Sequence, residues 1–198
     1  LTDRLATLVG PEAQHVRAGT IHHFCYELLR EYPDAADTPE DFIVVDDAVT
    51  DAFWQRWYQQ HERWCENNYL GSYRQVKTHV SRIKLGIDPV SGQLTKGLRA
   101  YNQMLADRGA LDFDDLLVKT RDLLRDHPDV RAAIADEAEA VLVDEFQDTD
   151  PVQFDIIRRL GEAGSHLFCV ADDDQSVYRF RGARPENLRR YIDTFNCT

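Results

Sequence analysis

The chain is poor in cysteine, poor in positive charge and free of long apolar runs. Its four cysteines (Cys25, Cys65, Cys169 and Cys197) are scattered, with no CxxC pair. That spacing offers no disulfide framework. It suits a reducing, cytoplasmic setting, with Cys25 and Cys169 as buried free thiols. No apolar run approaches the roughly 20 residues that a membrane span needs, and no secretory signal opens the chain, so no membrane is expected among its partners. Lys and Arg number 23 against 35 Asp and Glu, a net charge of −12. Overall charge therefore argues against a nucleic-acid binder. Internal repeats and low-complexity segments are also missing.

What is present is an ordinary globular composition. Hydrophobic residues make up 43% and charged residues 29% of 198 residues, enough for one good core or two small ones. The positive charge is clustered. Residues 69–100 hold Arg74, Lys77, Arg82, Lys84, Lys96 and Arg99 against the single acid Asp88, and residues 179–190 hold five arginines. Any contact with nucleic acid would be local to these patches. Leu1, Leu5, Leu8 and Val9 recur at helical spacing and begin without Met, as expected for a piece of a longer protein.

The pattern predicts a helix over residues 1–9, a short strand over His15–Gly19, and a helix over Ile21–Glu31 capped by Thr20. Residues 32–39 read as a polar, acidic loop. An aromatic-rich helix runs from Asp47 to about Asn67. Further helices are predicted at Tyr73–Leu85, Gly97–Ala106, Asp112–Arg125 and Pro128–Ala140. Val141–Asp144 and Leu167–Ala171 read as buried strands. Asp150-Pro151 opens a helix between them, and Pro185–Phe195 is the last helix. The fold class is α/β, with strand–helix alternation over residues 1–30 and 108–198. A nearly all-helical stretch, residues 31–107, is inserted between them.

Two stretches carry the chemistry: Val141–Asp150, and Val170–Ala183. Each is an apolar run ending in carboxylates, the form of a parallel strand that delivers acids to the C-terminal edge of a sheet. Asp144 can hold a divalent cation and Glu145 can orient an attacking water. Beyond the second strand, Gln175 can report on a phosphate, while Tyr178 and Phe180 can stack bases beside Arg179 and Arg181. The plainer reading is acidic turns closing two strands, with aromatic anchors behind them. Thr20 and His22 sit at a helix start suited to phosphate, or simply cap it. Arg74, Lys77 and Lys84 on one predicted helix can meet duplex phosphates, or form a solvated face. His61 and Cys65 share a helical face without a further ligand pair, so packing is favoured over zinc. The aromatics from Phe53 to Trp64 read as core.

These residues match a known pattern. Thr20–Phe24 matches a "TFHSF" block, Leu111–Leu117 "LDFDDLL", Leu142–Thr149 "LVDEFQDT", and Val170–Ala183 "VGDxDQSIYRFRGA". In this order they resemble the UvrD/Rep/PcrA group of superfamily 1 DNA helicases, along the whole chain. The resemblance implies a partial RecA-like P-loop NTPase sheet, with residues 31–107 as the helical 1B insertion. It also implies ATP and Mg²⁺ as cofactors and single-stranded and duplex DNA as partners. The activity implied is 3′-to-5′ movement with duplex unwinding. By resemblance, Asp144 binds Mg²⁺, Glu145 activates water and Gln175 senses the γ-phosphate. Thr20, His22, Tyr178, Phe180 and Arg181 serve the DNA, with Arg181 coupling the two sites. Ile21, His23 and Ala171 depart mildly from the family's residues. A GxxxxGK[ST] phosphate loop is absent from these 198 residues, as is the second motor domain, so this piece alone is expected to be inactive and marginally stable. Two other readings stay open: a carboxylate-based metal nuclease using Asp144, Asp148 and Asp172 to Asp174, and a non-catalytic DNA- or protein-binding module.

Overall fold

In the computed structural model the described residues are Thr7, 10–89, 92–172 and 192–193. The helices predicted over 1–9 and Pro185–Phe195 fall almost wholly outside them. Most helix starts follow from local chemistry. Thr20 caps α1 (Ile21–Glu31), accepting from His23 N at 3.2 Å. Asp46 caps α3 (Asp47–Gln60) through Val49 N. Asp112 and Asp115 form a reciprocal capping box at the start of α7 (Phe113–Asp126). Asp150, followed by Pro151, caps α9 (Pro151–Ala163) through the amides of Val152 and Gln153. Each side-chain oxygen satisfies an amide that the helix itself leaves unpaired.

Several expectations need correction. His15–Gly19 forms no strand: a 3₁₀ turn covers Gly10–His15 and irregular chain follows. The acidic loop contains a one-turn helix, α2 (Pro33–Ala36), which Pro33 at its first position favours. The aromatic helix is two helices, α3 and α4 (Glu62–Asn67), broken at His61, whose ring stacks on Trp57 at 4.4 Å. Between them and α7 lie α5 (Tyr73–Lys84) and α6 (Gly92–Ala106). Helix α8 covers Pro128–Glu137. Cys25 and Cys65 are fully buried thiols, whereas Cys169 is only half-buried.

Among the described residues, two short parallel strand pairs make the sheet structure. β1 (Ile43–Val44) pairs with β2 (Ala110–Leu111). β3 (Ala140–Val143) pairs with β4 (His166–Cys169), Ala140 opposite His166 and Val143 opposite Cys169. Helix α9 crosses over between β3 and β4, giving one parallel strand–helix–strand unit. Val143 and Cys169 face Phe146, Phe154 and Ile157, while Leu142 and Phe168 on the opposite face are 74% and 63% exposed. Among the described residues no helix is long and apolar enough to cross a membrane.

The apolar residues gather in two larger cores. One joins α1, α7, α8 and α9 through Cys25, Leu28, Leu116, Leu124, Ile134 and Ile156. The other lies within α3–α6, around Trp54, Trp57, Cys65, Val76, Val80 and Tyr101. The aromatics expected as core are core: Trp54 and Trp57 are buried, and Phe53, Tyr58 and Trp64 pack against them.

Gly97 lets α6 lie against Trp57. A Cβ there would stand 2.7 Å from the indole Nε1 and Cε2. Alanine gains up to about 1 kcal/mol of helix propensity, but overpacking typically costs about 1–3 kcal/mol. Gly97→Ala should therefore lower stability, by up to about 2 kcal/mol, in urea denaturation of this chain. A stabilised variant would contradict the close approach.

Candidate functional site

The pairing of β3 with β4 brings the two acidic stretches to one edge. Val170 N donates to Val143 O at 2.8 Å, and Phe146 N donates to Val170 O at 2.9 Å, so the strands stay joined beyond their ends. Asp144 and Glu145 leave β3 and Asp172 leaves β4 at the same C-terminal edge. Glu145 is in the left-handed region, at φ +51°. That reversal starts a 3₁₀ turn, Phe146–Asp148, and leaves both carboxylates exposed. Glu145 N donates to Asp144 Oδ1 at 3.0 Å. The exposed Asp144 carboxylate offers hard oxygen ligands of the kind that Mg²⁺ takes, one or two at a time beside water and phosphate.

Sequence reasoning missed Gln147. Its side chain is 1% exposed, yet its amide is used at both ends. Nε2 donates to Glu145 Oε2 at 2.5 Å, and Oε1 accepts from Asp172 N at 2.9 Å. The signal was there: Gln147 is the glutamine of the matched Leu142–Thr149 block, two residues past Glu145.

Thr20 and His22 lie on a groove of about 820 Å³ that Asp148 and Asp150 also line. Residues of α1, α3, α5, α6, α7 and α9 line the groove. His22 meets Phe113 edge-on at 5.7 Å, and Phe113 is 47% exposed. Arg74 and Lys77 line the same groove. The structure thus gathers Thr20, His22, Arg74 and Lys77 on one groove. Gln175, Tyr178, Phe180 and Arg181 lie outside the described residues.

The expected basic face of α5 needs correction. Arg74 is exposed, beside Tyr73. Lys77 is paired with Asp47 and Asp51 of α3, both at 2.7 Å. The Lys84 side chain is 6% exposed and pairs with Asp112 and Asp115 at 2.7 Å. Its charge is consumed inside the protein and is not available to a duplex. The signal was legible: Val76, Val80 and Lys84 follow at four-residue spacing, so Lys84 continues the buried stripe of α5.

Around Lys84 three carboxylates crowd the start of α7. Burial opposes the charge on Lys84, but Asp112 and Asp115 outweigh it and hold the ammonium's pKa above its ordinary value. Burial likewise opposes the Asp112 charge, and Lys84 with the Asp115 amide brings its pKa down. Asp114 accepts from Ser81 Oγ, at 3.0 Å. Its carboxyl is pushed up to about 6, by desolvation first and by the charge of Asp112 next. Elsewhere, burial pushes the Cys25 thiol up to about 12, which leaves it no thiolate for nucleophilic work. Among the described residues no three His, Cys, Asp or Glu side chains converge as a metal site. The His61–Cys65 pair is explained by packing against Trp57 and the second core.

The chain is similar to known proteins. The family model described as the UvrD/REP helicase N-terminal domain matches residues 1–196. DNA helicase II of Escherichia coli (strain K12) is 29% identical over 203 residues, covering 97% of this chain and 28% of that protein. The ATP-dependent DNA helicase PcrA of Staphylococcus epidermidis (strain ATCC 35984) is 27% identical over 200 residues, with 97% and 27% covered. The chain thus spans a little over a quarter of the length of these relatives.

Asp114 yields a pH prediction. A carboxyl raised from 3.8 to about 6 on folding binds more protons in the folded state between those values. It stabilises the fold at low pH, and that contribution is lost as pH rises through the folded value. Asp114→Asn keeps an acceptor for Ser81 and removes the titration. Its stability relative to the unsubstituted chain should rise between about pH 4 and pH 6.5. Urea denaturation at a series of pH values measures this, and a flat difference would contradict it.

Proposed function

The chain belongs to the UvrD/REP helicase N-terminal domain family, and from that footing we propose that it forms part of an ATP-dependent DNA helicase. The proposed activity couples ATP hydrolysis to 3′-to-5′ movement on single-stranded DNA and to unwinding of the duplex. The observation that carries this reading is the convergence of Asp144, Glu145 and Asp172 at the C-terminal edge of a parallel strand pair. Open parallel sheets bind nucleotides at that edge.

The β3–α9–β4 crossover supports a RecA-like sheet of which this chain holds a part. Parallel sheets are ordinarily covered on both faces. The exposed Leu142 and Phe168 support further sheet-covering elements in the working protein. The domain division proposed is RecA-like over residues 1–30 and 108–198, with 31–107 as the inserted helical unit. The separate core around Trp54 and Trp57 supports it.

In this reading Asp144 supplies an oxygen for Mg²⁺, which when bound neutralises charge on the phosphates of ATP. Glu145 orients the attacking water and accepts its proton. Gln175 senses the γ-phosphate. Thr20 and His22 bind the single strand along the groove, with Tyr178, Phe180 and Arg181 as further contacts. Of the basic residues on α5, Arg74 is the one left exposed for duplex phosphates. The groove's own acids, Asp47, Asp51, Asp114 and Asp148 among them, call for contacts through hydroxyls, rings and amides more than through net charge. The remaining helicase domains are the expected protein partners, and the cytoplasm the expected location. The nuclease reading needs Asp173 and Asp174, which lie outside the described residues.

Glu145→Gln tests the reading in the longer, loop-bearing chain. DNA-stimulated ATP turnover should fall by roughly 10² or more, with nucleotide affinity retained. Undiminished turnover would overturn the assignment. Residues 1–198 alone, lacking a GxxxxGK[ST] loop, should show no ATP hydrolysis in the same assay.

A further inference from the structure

Tyr69, in the connection between α4 and α5, stands in the left-handed region at φ +56°. There the Cβ of a bulky residue crowds the backbone, a cost that glycine escapes and asparagine bears more easily. Glycine is the usual choice at this kind of site. Tyr69 N donates to Glu66 O at 3.1 Å and Leu70 N to Cys65 O at 2.9 Å, the paired bonds that close the end of α4. Leu70 then packs against the second core, to which Cys65 belongs. The fold needs a left-handed residue at position 69 and asks nothing of its side chain. Yet the residue is an aromatic one, 95% exposed. A costly residue that serves no packing points to use outside the fold.

The turn that carries the ring is braced. Asn68 Nδ2 donates to Trp64 O at 2.8 Å, and the Tyr58 hydroxyl donates to Gly71 O. Ser72 N donates to Gln75 Oε1 at 2.7 Å, where α5 begins. A ring presented on a fixed backbone has little freedom left to lose when something covers it.

The surroundings narrow what that is. Between His61 and Gly109 no other large apolar side chain among the described residues is exposed. The exposed neighbours in sequence are Asn67, Asn68, Gly71, Ser72 and Arg74. A single ring in a polar rim lacks the contiguous apolar centre of a protein interface. It does offer the flat face on which a base stacks. No Asp or Glu stands between Asn67 and Ile87, so this run carries no acid to repel a phosphate backbone. Arg74 is exposed and lines the groove proposed for the single strand. The five residues from Tyr69 to Arg74 span at most about 18 Å, so a strand that meets Arg74 is within reach of the ring.

We propose that Tyr69 is a stacking platform for an unpaired base of the DNA strand, outside the groove and past Arg74. This rests on the helicase reading of the chain.

The test is made in the longer chain that carries the phosphate loop, with Tyr69→Gly, Tyr69→Asn and Tyr69→Phe. Affinity is measured by fluorescence anisotropy for single-stranded oligonucleotides of increasing length and for a blunt duplex, together with the thermal midpoint. Tyr69→Gly and Tyr69→Asn should bind the longer single strands roughly fivefold or more weakly, with the midpoint unchanged or raised. Tyr69→Phe keeps the ring and should stay within about twofold. The slope of affinity against salt should not change, because stacking releases no counterions. The blunt duplex, whose bases are paired, should bind all four proteins alike. Unchanged affinity for single strands in Tyr69→Gly and Tyr69→Asn overturns the proposal and leaves the ring to a protein partner. An equal loss on the blunt duplex overturns it in favour of a backbone contact. A loss in Tyr69→Phe as large as in Tyr69→Gly assigns the effect to the hydroxyl and overturns it too. So does lost affinity with a lowered midpoint in both ring-free variants, the mark of a residue that supports the fold. If the unsubstituted chain binds none of these probes, the helicase reading falls; if it binds and the ring-free variants match it, this inference falls alone.

Discussion

Two parallel strands end on the same side, and everything proposed for this protein depends on that constraint. With Ala140 opposite His166 and Val143 opposite Cys169, the residues after β3 and after β4 must emerge together. An antiparallel pair would place them at opposite ends. The crossover needs a helix of the right length between the strands, and the Asp150-Pro151 start sets where α9 begins. The left-handed Glu145 then reverses the chain immediately, so the carboxylates remain at the edge and do not extend past it. Backbone geometry, not the acids themselves, makes a site of them.

A second interaction joins α5 to the start of α7. Lys84 of α5 reaches Asp112 and Asp115 at the start of α7, and Ser81 of α5 reaches Asp114. One ammonium faces three carboxylates in a largely dry space. Burying such an arrangement gains little net stability, because desolvation opposes the Coulomb attraction, but removing the single cation is strongly unfavourable. The cluster therefore acts as a specific fastening: it tolerates one register of α5 on α7. The groove that carries Thr20 and His22 lies along this same seam. Its lining residues come from the helices that meet there.

Much was legible from residues alone. Caps at Thr20, Asp112 and Asp150, both strands that deliver acids, and the aromatic core of α3 and α4 follow from signals that span a few residues. Those signals are local, so no tertiary contact can disguise them. The errors were also physical. His15–Gly19 has strand-compatible residues, but among the described residues no strand pairs with it. Cys169 sits among apolar residues, yet its short strand leaves it half-buried. Lys84 was grouped by charge with Arg74 and Lys77, when its helical phase groups it with Val76 and Val80.

The sequence by itself determined the helix starts, the two carboxylate-bearing strand ends and the family to which the chain belongs. Those depend on spacing within short stretches, which a chain carries wherever it folds. Only the tertiary structure decided which charges are spent internally, that Gln147 links Glu145 to Asp172, and that Thr20, His22 and Arg74 share one groove. Lys84 and Asp112 are 28 residues apart, and Gln147 and Asp172 are 25 apart. At such separations the partner is chosen by how helices and strands pack, and no local pattern carries that information.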